Sequence, residues 1–369
     1  MPLAKLASAL IVISVVLCAC GVGAERQQDR PPATQPVAQS PTQSKAPTEK
    51  KPAPADPNKF ALVVAGMGGE EAYTKKFTAQ ATRLYETLTE QLGFAGKNVT
   101  LLTEMPSAGG PEDGARESDV PSRRGSAEEV RKAFASIKAA ANSESLVLVV
   151  LIGHGSADNQ QAKFNLIGLD LSAKDYAQLL GSLPSRKVVF VNCASSSGEF
   201  IKPLSSEGRI VITATRSGSE QNATIFAEHF IAGLTDGAAD ADKNGRVSVL
   251  EAFNFATRLT GDWYKQKNRL ATEHALIDDN GDGTGHQEAT GGDGTQAKIL
   301  YIDSKPIEQA AGDVEIERLL KERQRLEAEV EKLKARKSEM KAEDYDAELE
   351  RLLVDLAKVN QEIKAKQKK

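Results

Sequence analysis

The chain alternates short, almost purely apolar runs with stretches whose apolar residues have helical spacing. In chain order the apolar runs read FALVVAG, NVTLLTE, LVLVVLIG, KVVFVN and RIVITAT. Strands that are buried on both faces are continuously apolar, whereas strands with one solvated face alternate apolar and polar residues. The stretch after the first run has Phe77, Leu84 and Leu88 on one helical face. The pattern therefore predicts an α/β fold with a mostly parallel sheet and helices on both of its faces.

Two potentially catalytic residues lie at the ends of two of these runs. His154 closes the third run and is followed by Gly155, and Cys193 follows the fourth run. In open α/β sheets, active sites lie outside the carboxyl ends of the strands. A histidine and a cysteine at such ends predict a base and a nucleophile. The alternative for a single cysteine is a buried structural thiol.

The amino terminus is predicted to be a bacterial secretion signal over residues 1–20. It joins a short charged start to an apolar stretch that is too brief for a comfortable membrane span. The sequence LCAC resembles the lipobox of bacterial lipoproteins, which implies that Cys20 is lipidated and becomes the mature terminus. Gly21 then favours the outer membrane if the cell has one. Because Cys18 is unusual in such a box, a non-lipidated signal peptide or an uncleaved anchor is the alternative.

Residues 21–57 are predicted to be a Pro-rich disordered linker, since residues 31–57 hold eight of the fifteen prolines. Such a stretch favours an extended polyproline conformation and acts as a semi-rigid tether. The globular domain is predicted over residues 58–305. Once the signal is removed and Cys20 is acylated, Cys193 is the only free cysteine, which excludes a disulfide framework.

The tail over residues 313–369 is predicted to be helical. A heptad seam, with apolar residues alternately four and three apart, runs through Tyr345, Leu349, Leu352, Leu356, Val359 and Ile363. An earlier seam does not join it in register across residues 337–344, which predicts a coiled coil with a break or a helical hairpin. The tail then either mediates self-association or folds back onto its own domain.

The order of strands and helices, with HisGly after one strand and Cys after the next, resembles the caspase-like cysteine peptidases and especially their legumain branch. The resemblance covers roughly residues 58–260, where FALVVAGMGGEEAY, LIGHGS and VFVNCASSSGEF are similar to the family's blocks. It implies that His154 and Cys193 are the catalytic dyad and that the substrate is a peptide or protein. It also implies that the backbone N–H groups of Gly155 and Cys193 form the oxyanion hole.

The resemblance is weaker at the residues that would select a substrate. Legumains carry an acidic residue two before the cysteine and an Arg-His pair in the first loop, where this chain has Val191 and residues 73–76. Asparagine specificity is therefore not implied. The family builds a specificity wall after the strand RIVITAT, which implies substrate-binding roles for Ser217, Ser219 and Glu220. Glu220 would suit a basic P1 side chain, or it is simply solvated.

The sequence DADKNGRVSVLE follows the spacing of an EF-hand calcium loop. Its ligand positions are Asp240, Asp242, Asn244, Arg246 through its carbonyl, Ser248 and Glu251, with Gly245 at the turn. Helical stretches on both sides are the context that such a loop requires. The motif predicts a Ca²⁺ ion as cofactor, and we expect calcium to raise activity by ordering the region after the specificity strand. The alternative is a loop that uses Asp and Gly only for turning.

A second stretch, residues 278–289, begins in the same way with Asp278, Asn280 and Asp282. Its twelfth position is Ala289, so the bidentate closing ligand of an EF-hand is missing. We therefore expect calcium binding at residues 240–251 rather than here.

Charge and composition limit the partners of the chain. A formal net charge of −4 and a pI near 5.8 leave no basic footprint for nucleic acid, so none is expected as a partner. The leading hypothesis is a lipid-anchored, extracytoplasmic cysteine endopeptidase of the bacterial cell envelope. One alternative is a catalytically idle caspase-like scaffold lipoprotein that binds peptides or partner proteins. The other is a calcium-stabilised structural lipoprotein.

Overall fold

The computed structural model describes residues 53–106, 120–158, 161–289, 292–305 and 313–367. The predicted signal with Cys20 and nearly all of the predicted linker lie outside the described residues. Among the described helices, none is both long enough and apolar enough to cross a bilayer.

The described residues form two sheets. Their strands are β1 (Lys59–Ala65), β2 (Val99–Thr103), β3 (Arg123–Arg124), β4 (Leu146–Ile152), β5 (Gly155–Ala157), β6 (Ala162–Phe164), β7 (Leu171–Ser172), β8 (Lys187–Asn192), β9 (Arg209–Thr213) and β10 (Leu276–Asp278). The main sheet has the order β10-β9-β8-β4-β1-β2-β3, and only β10 pairs with its neighbour in the antiparallel direction. The predicted mostly parallel sheet is therefore confirmed. The small antiparallel sheet β5-β6-β7 begins directly after His154.

Helices cover both faces of the main sheet. They are α1 (Glu71–Glu86), α2 (Ala127–Ala140), α3 (Ala173–Gly181), α4 (Ile201–Leu204), α5 (Phe226–Gly233), α6 (Val249–Gln266) and α7 (Thr295–Ile299). Residues of α1, α5 and α6 share one apolar cluster with alternate residues of the strands, and residues of α2, α3 and α4 share the other. In β4, for example, Val150 belongs to the first cluster and Val149 to the second. This double burial is why the strands are continuously apolar.

The tail forms a helical hairpin of α8 (Val314–Ala335) and α9 (Ala342–Gln367). Ile316 near the start of α8 shares a buried cluster with Ile363 near the end of α9, while Leu333 near the end of α8 shares one with Tyr345. The two helices are therefore antiparallel. Lys298 of α7 forms an ion pair with Glu331 of α8 at 2.7 Å, so the hairpin contacts its own domain. Self-association stays a prediction.

Candidate active site

The site lies at the carboxyl edge of the sheet, where β4 and β8 end side by side. Leu151 of β4 is opposite Asn192 of β8 in a parallel register. The backbone N–H of Cys193 donates to the carbonyl of Leu151 at 2.8 Å, which extends this ladder by one residue. His154 stands three residues beyond Leu151. The two residues proposed as a dyad therefore leave neighbouring strands at the same edge.

His154 packs against α1. Its ring makes edge-on contacts with the rings of Tyr73 and Phe77, with centroid distances of 4.8 and 5.0 Å. Burial lowers the pKa of this imidazole, and the positive charge of Lys76 lowers that pKa further, against a smaller opposite effect of Glu70. Near neutral pH the ring is therefore in its neutral form, which is the form that can accept a proton.

The thiol of Cys193 is closed off from solvent in this conformation. Cys193 is 1% exposed and belongs to the same apolar cluster as Phe77, the residue that packs on His154. Burial raises the pKa of this thiol, and the negative charge of Glu273 raises that pKa further. The sulfur is therefore a protonated thiol that solvent does not reach, although it lies on the same face of the sheet as His154.

Both backbone donors expected for the oxyanion hole are already engaged. The N–H of Cys193 belongs to the ladder with β4. The N–H of Gly155 donates to the hydroxyl of Ser195 at 3.1 Å, and that hydroxyl donates back to the carbonyl of Gly155 at 3.1 Å. A Cβ on Gly155 would lie 2.5 Å from the carbonyl oxygen of Ser195. The glycine is thus required by the close approach of the loop after β8.

The loop after β9 is hydrogen-bonded to the loop after β8. We call residues 216–224, which contain no regular helix or strand, the strap. The backbone N–H of Ser196 donates to the carbonyl of Glu220 at 2.8 Å, and its hydroxyl donates to the carbonyl of Gly218 at 3.0 Å. At the other end, the hydroxyl of Thr224 donates to the carbonyl of Cys193 at 2.5 Å. The strap is therefore bonded to the loop that carries the thiol.

The three residues expected to bind substrate lie in this strap, and their polar groups are bonded within the protein. The hydroxyls of Ser217 and Ser219 bond to each other at 2.7 Å. The side chain of Glu220 is only 10% exposed. Its carboxylate pairs with Arg216 at 3.2 Å and contacts Nδ1 of His274 at 2.5 Å. Glu220 is therefore an internal partner in this conformation, neither solvated nor open to a basic P1 side chain.

Sequence reasoning missed the residues that hold the strap. The sequence gives no role to His274, which is the partner of Glu220. The preceding residue, Glu273, is 3% exposed and accepts hydrogen bonds from the backbone N–H groups of Ile225 at 3.0 Å and Phe226 at 3.2 Å. It therefore caps the start of α5, where the helix dipole favours a negative charge. No local motif marks either role, because the partners are about fifty residues apart.

The predicted calcium loop brings three carboxylates together. Oxygen atoms of Asp240, Asp242 and Glu251 lie within 4.8 Å of one another, and no other group of three or more metal-binding side chains occurs in the described part of the chain. Gly245 has a φ of 84°, as the sharp turn of such a loop requires. Ser248 is the N-cap of α6 and forms a capping box with Glu251. The donor set suits a hard cation such as Ca²⁺.

The remaining predicted ligands have other partners as well. The side-chain oxygen of Asn244 accepts from the backbone N–H of Arg246 at 2.8 Å, and its amide nitrogen donates to Asp242 at 2.9 Å. The guanidinium of Arg246 pairs with Asp303 at 2.7 Å. The predicted metal ligand of Arg246 is its backbone carbonyl, which this pair does not involve. In the second stretch, the two oxygens of Asp278 accept from backbone N–H groups of its own loop.

Comparisons with known proteins define no family. The chain matches no family profile and no curated protein. Among solved structures, it is similar to the crystal structure of protein GSU0716 from Geobacter sulfurreducens, with 14% identity and a TM-score of 0.39 over 60% of this chain and 92% of that chain. A likeness at that level defines neither a shared fold family nor a function. Fold and site together describe an α/β protein with a histidine and a closed cysteine at one sheet edge.

Proposed function

We propose that this protein is a caspase-like cysteine endopeptidase of the bacterial envelope. The observation that carries the proposal is the pairing of β4 with β8, from which His154 and Cys193 emerge at one edge and on one face of the sheet. A base and a thiol in that relation are what acyl transfer needs.

The chemistry follows from the protonation states at this edge. The neutral imidazole of His154 takes the thiol proton as the sulfur of Cys193 attacks the substrate carbonyl, and a C–S bond forms. The same proton passes to the leaving amine as the C–N bond breaks. Water then attacks the thioester and gives a proton to His154, and this new proton passes to sulfur as the C–S bond breaks and the carboxylic acid leaves. Because the thiol is buried and its pKa is raised, these steps require a conformation in which the sulfur is exposed to the substrate.

A second candidate function is favoured by the same burial. A thiol at 1% exposure beside the carboxylate of Glu273 is what a catalytically idle scaffold would retain. Such a protein would bind peptides or partner proteins through this edge without cleaving them.

Acyloxymethyl ketone probes with several P1 side chains distinguish the two candidates. An active peptidase is labelled, and labelling disappears in Cys193→Ala and falls sharply in His154→Ala. His229→Ala, which changes another half-buried histidine on α5, is the matched control and should label normally. Absence of labelling by every probe, with and without calcium, would favour the idle scaffold.

Calcium is proposed as the ligand of residues 240–251. The convergence of Asp240, Asp242 and Glu251 and the turn at Gly245 support this assignment. Binding should raise the melting temperature and the rate of probe labelling. If chelation leaves both unchanged, calcium has no role in this protein.

The envelope location and the oligomeric state are proposals from the sequence. A lipid anchor at Cys20 predicts incorporation of labelled palmitate, which Cys20→Ser should abolish. Light scattering of the chain with and without residues 313–369 tests whether the hairpin also joins two copies.

A further inference from the structure

We infer that the strap is a latch over Cys193 and that Glu273 and His274 are the clip that holds it shut. This inference deepens the proposed function, since it concerns access to the same thiol. It names the regulation of the site: the strap must leave the clip before any substrate reaches the sulfur.

Glu273 and His274 form hydrogen bonds with the strap and with the start of α5, which follows it. His274 holds the middle of the strap, with its backbone N–H donating to Glu220 at 3.1 Å and its ring in contact with the same carboxylate. Glu273 holds residues 225 and 226, which follow the strap directly. Two consecutive residues therefore restrain both the strap and the helix into which it leads.

The position of the clip follows from the antiparallel strand β10. Leu276 of β10 pairs with Thr213, the last residue of β9. The chain entering β10 therefore runs beside the chain leaving β9, and residues 273 and 274 lie next to the strap. The hydroxyl of Tyr264 in α6 donates to Glu273 at 3.0 Å and fixes the clip from the other side.

The strap has the properties of a segment that opens locally. It contains no helix or strand, and Arg216, Ser219, Gln221 and Asn222 are exposed along it, whereas Cys193 stays in the β ladder. Segments with few buried contacts open at a much lower free energy than the core. Opening would release the N–H of Ser196 and the carbonyl of Cys193, both of which the strap now occupies.

Thiol labelling tests the latch without requiring catalysis. In the full chain carrying Cys18→Ser and Cys20→Ser, Cys193 is the only thiol, and methyl methanethiosulfonate reports its exposure. We expect Glu220→Ala to label at least about tenfold faster than the parent, because a partly buried carboxylate and its hydrogen bonds are lost. Glu329→Ala removes an exposed Arg–Glu pair of the same spacing in the hairpin and should label at the parental rate.

Urea separates local opening from unfolding. If the strap is a latch, the rate at which the parent is labelled should depend only weakly on urea concentration, since opening the strap exposes little surface. Labelling through global unfolding would instead rise steeply with urea concentration, because unfolding exposes a large surface. The latch is wrong if labelling of the parent follows global unfolding, or if a folded Glu220→Ala labels at the parental rate. Should Glu220→Ala unfold, the urea slope of the parent and the milder Arg216→Ala decide the question.

Failure of the latch and failure of the peptidase are distinguishable. If Glu220→Ala labels rapidly with the small reagent but never with acyloxymethyl ketones, the latch stands and the peptidase proposal fails. If the parent is labelled rapidly by both reagents, the peptidase proposal stands and the latch fails.

Discussion

The edge near Cys193 and the loop of residues 240–251 both gather acidic side chains, but the two regions use them differently. At the edge, Glu220 and Glu273 are mostly or fully buried and accept hydrogen bonds from the protein's own N–H groups. In the loop, Asp240, Asp242 and Glu251 also accept hydrogen bonds from backbone N–H groups, but their oxygen atoms lie within 4.8 Å of one another and solvent reaches them.

This difference indicates what each region must do in order to act. A buried carboxylate surrounded by donors holds the chain in place, so the edge has to rearrange before a substrate can enter. Carboxylates brought close together repel one another and favour a cation between them. The loop is therefore arranged for its ligand, whereas the edge is arranged for closure.

Replacing His154 has the largest expected effect. His154→Ala should lower peptide hydrolysis by about 10²- to 10⁴-fold, because no base remains to take the thiol proton. The measurement is the initial rate with a fluorogenic peptide that the parent cleaves. Normal hydrolysis by this variant would show that the edge has no catalytic role and would remove one side of the comparison.

Replacing the closing ligand of the loop has the next largest effect. Glu251→Gln should lower calcium affinity by at least about tenfold, since the expected bidentate ligand is lost. Titration calorimetry measures the affinity. Asp262→Asn, which changes a partly exposed acid on the same helix, is the control and should bind as the parent does. Equal affinities in Glu251→Gln and the parent would contradict the idea of an arranged loop.

A smaller effect is expected where the edge satisfies its own donors. Ser195→Ala removes the hydroxyl that bonds both the N–H and the carbonyl of Gly155. We expect the free energy of unfolding to fall by about 1 kcal/mol in urea denaturation. Because this change frees an N–H expected in the oxyanion hole, it should not lower peptide hydrolysis. A strong loss of hydrolysis would mean that Ser195 takes part in the reaction.

The smallest expected effect is the pH dependence of the unfolding free energy that Glu273 contributes. Burial raises the pKa of Glu273 from its ordinary value near 4.5, so the folded chain holds this proton more tightly than the unfolded chain. The stability that protonated Glu273 contributes is complete below about pH 4.5 and is lost as the pH rises through the raised value. Unfolding free energies of the parent minus those of Glu273→Gln should therefore decrease over that range. A flat difference would contradict a buried, desolvated carboxylate.

Local pattern was sufficient for the architecture. Continuous apolar runs predicted buried parallel strands, and strand ends predicted the edge where His154 and Cys193 emerge. Ligand spacing predicted the convergence of Asp240, Asp242 and Glu251. These features depend on residues close together in the chain, or on the periodicity of a whole element, which a sequence displays directly.

Only the tertiary structure decided whether the edge is open. The Gly155 N–H is engaged by Ser195, 40 residues away, and Glu220 pairs with His274, 54 residues away. Cys193 is buried by residues from distant parts of the chain, such as Phe77 and Phe226, which share its apolar cluster. The antiparallel strand β10 brings Glu273 and His274 to the strap, and three residues offer too short a pattern to be recognised. The position of a reactive residue at a strand end follows from local pattern, whereas its access to solvent depends on which distant loops pack over it.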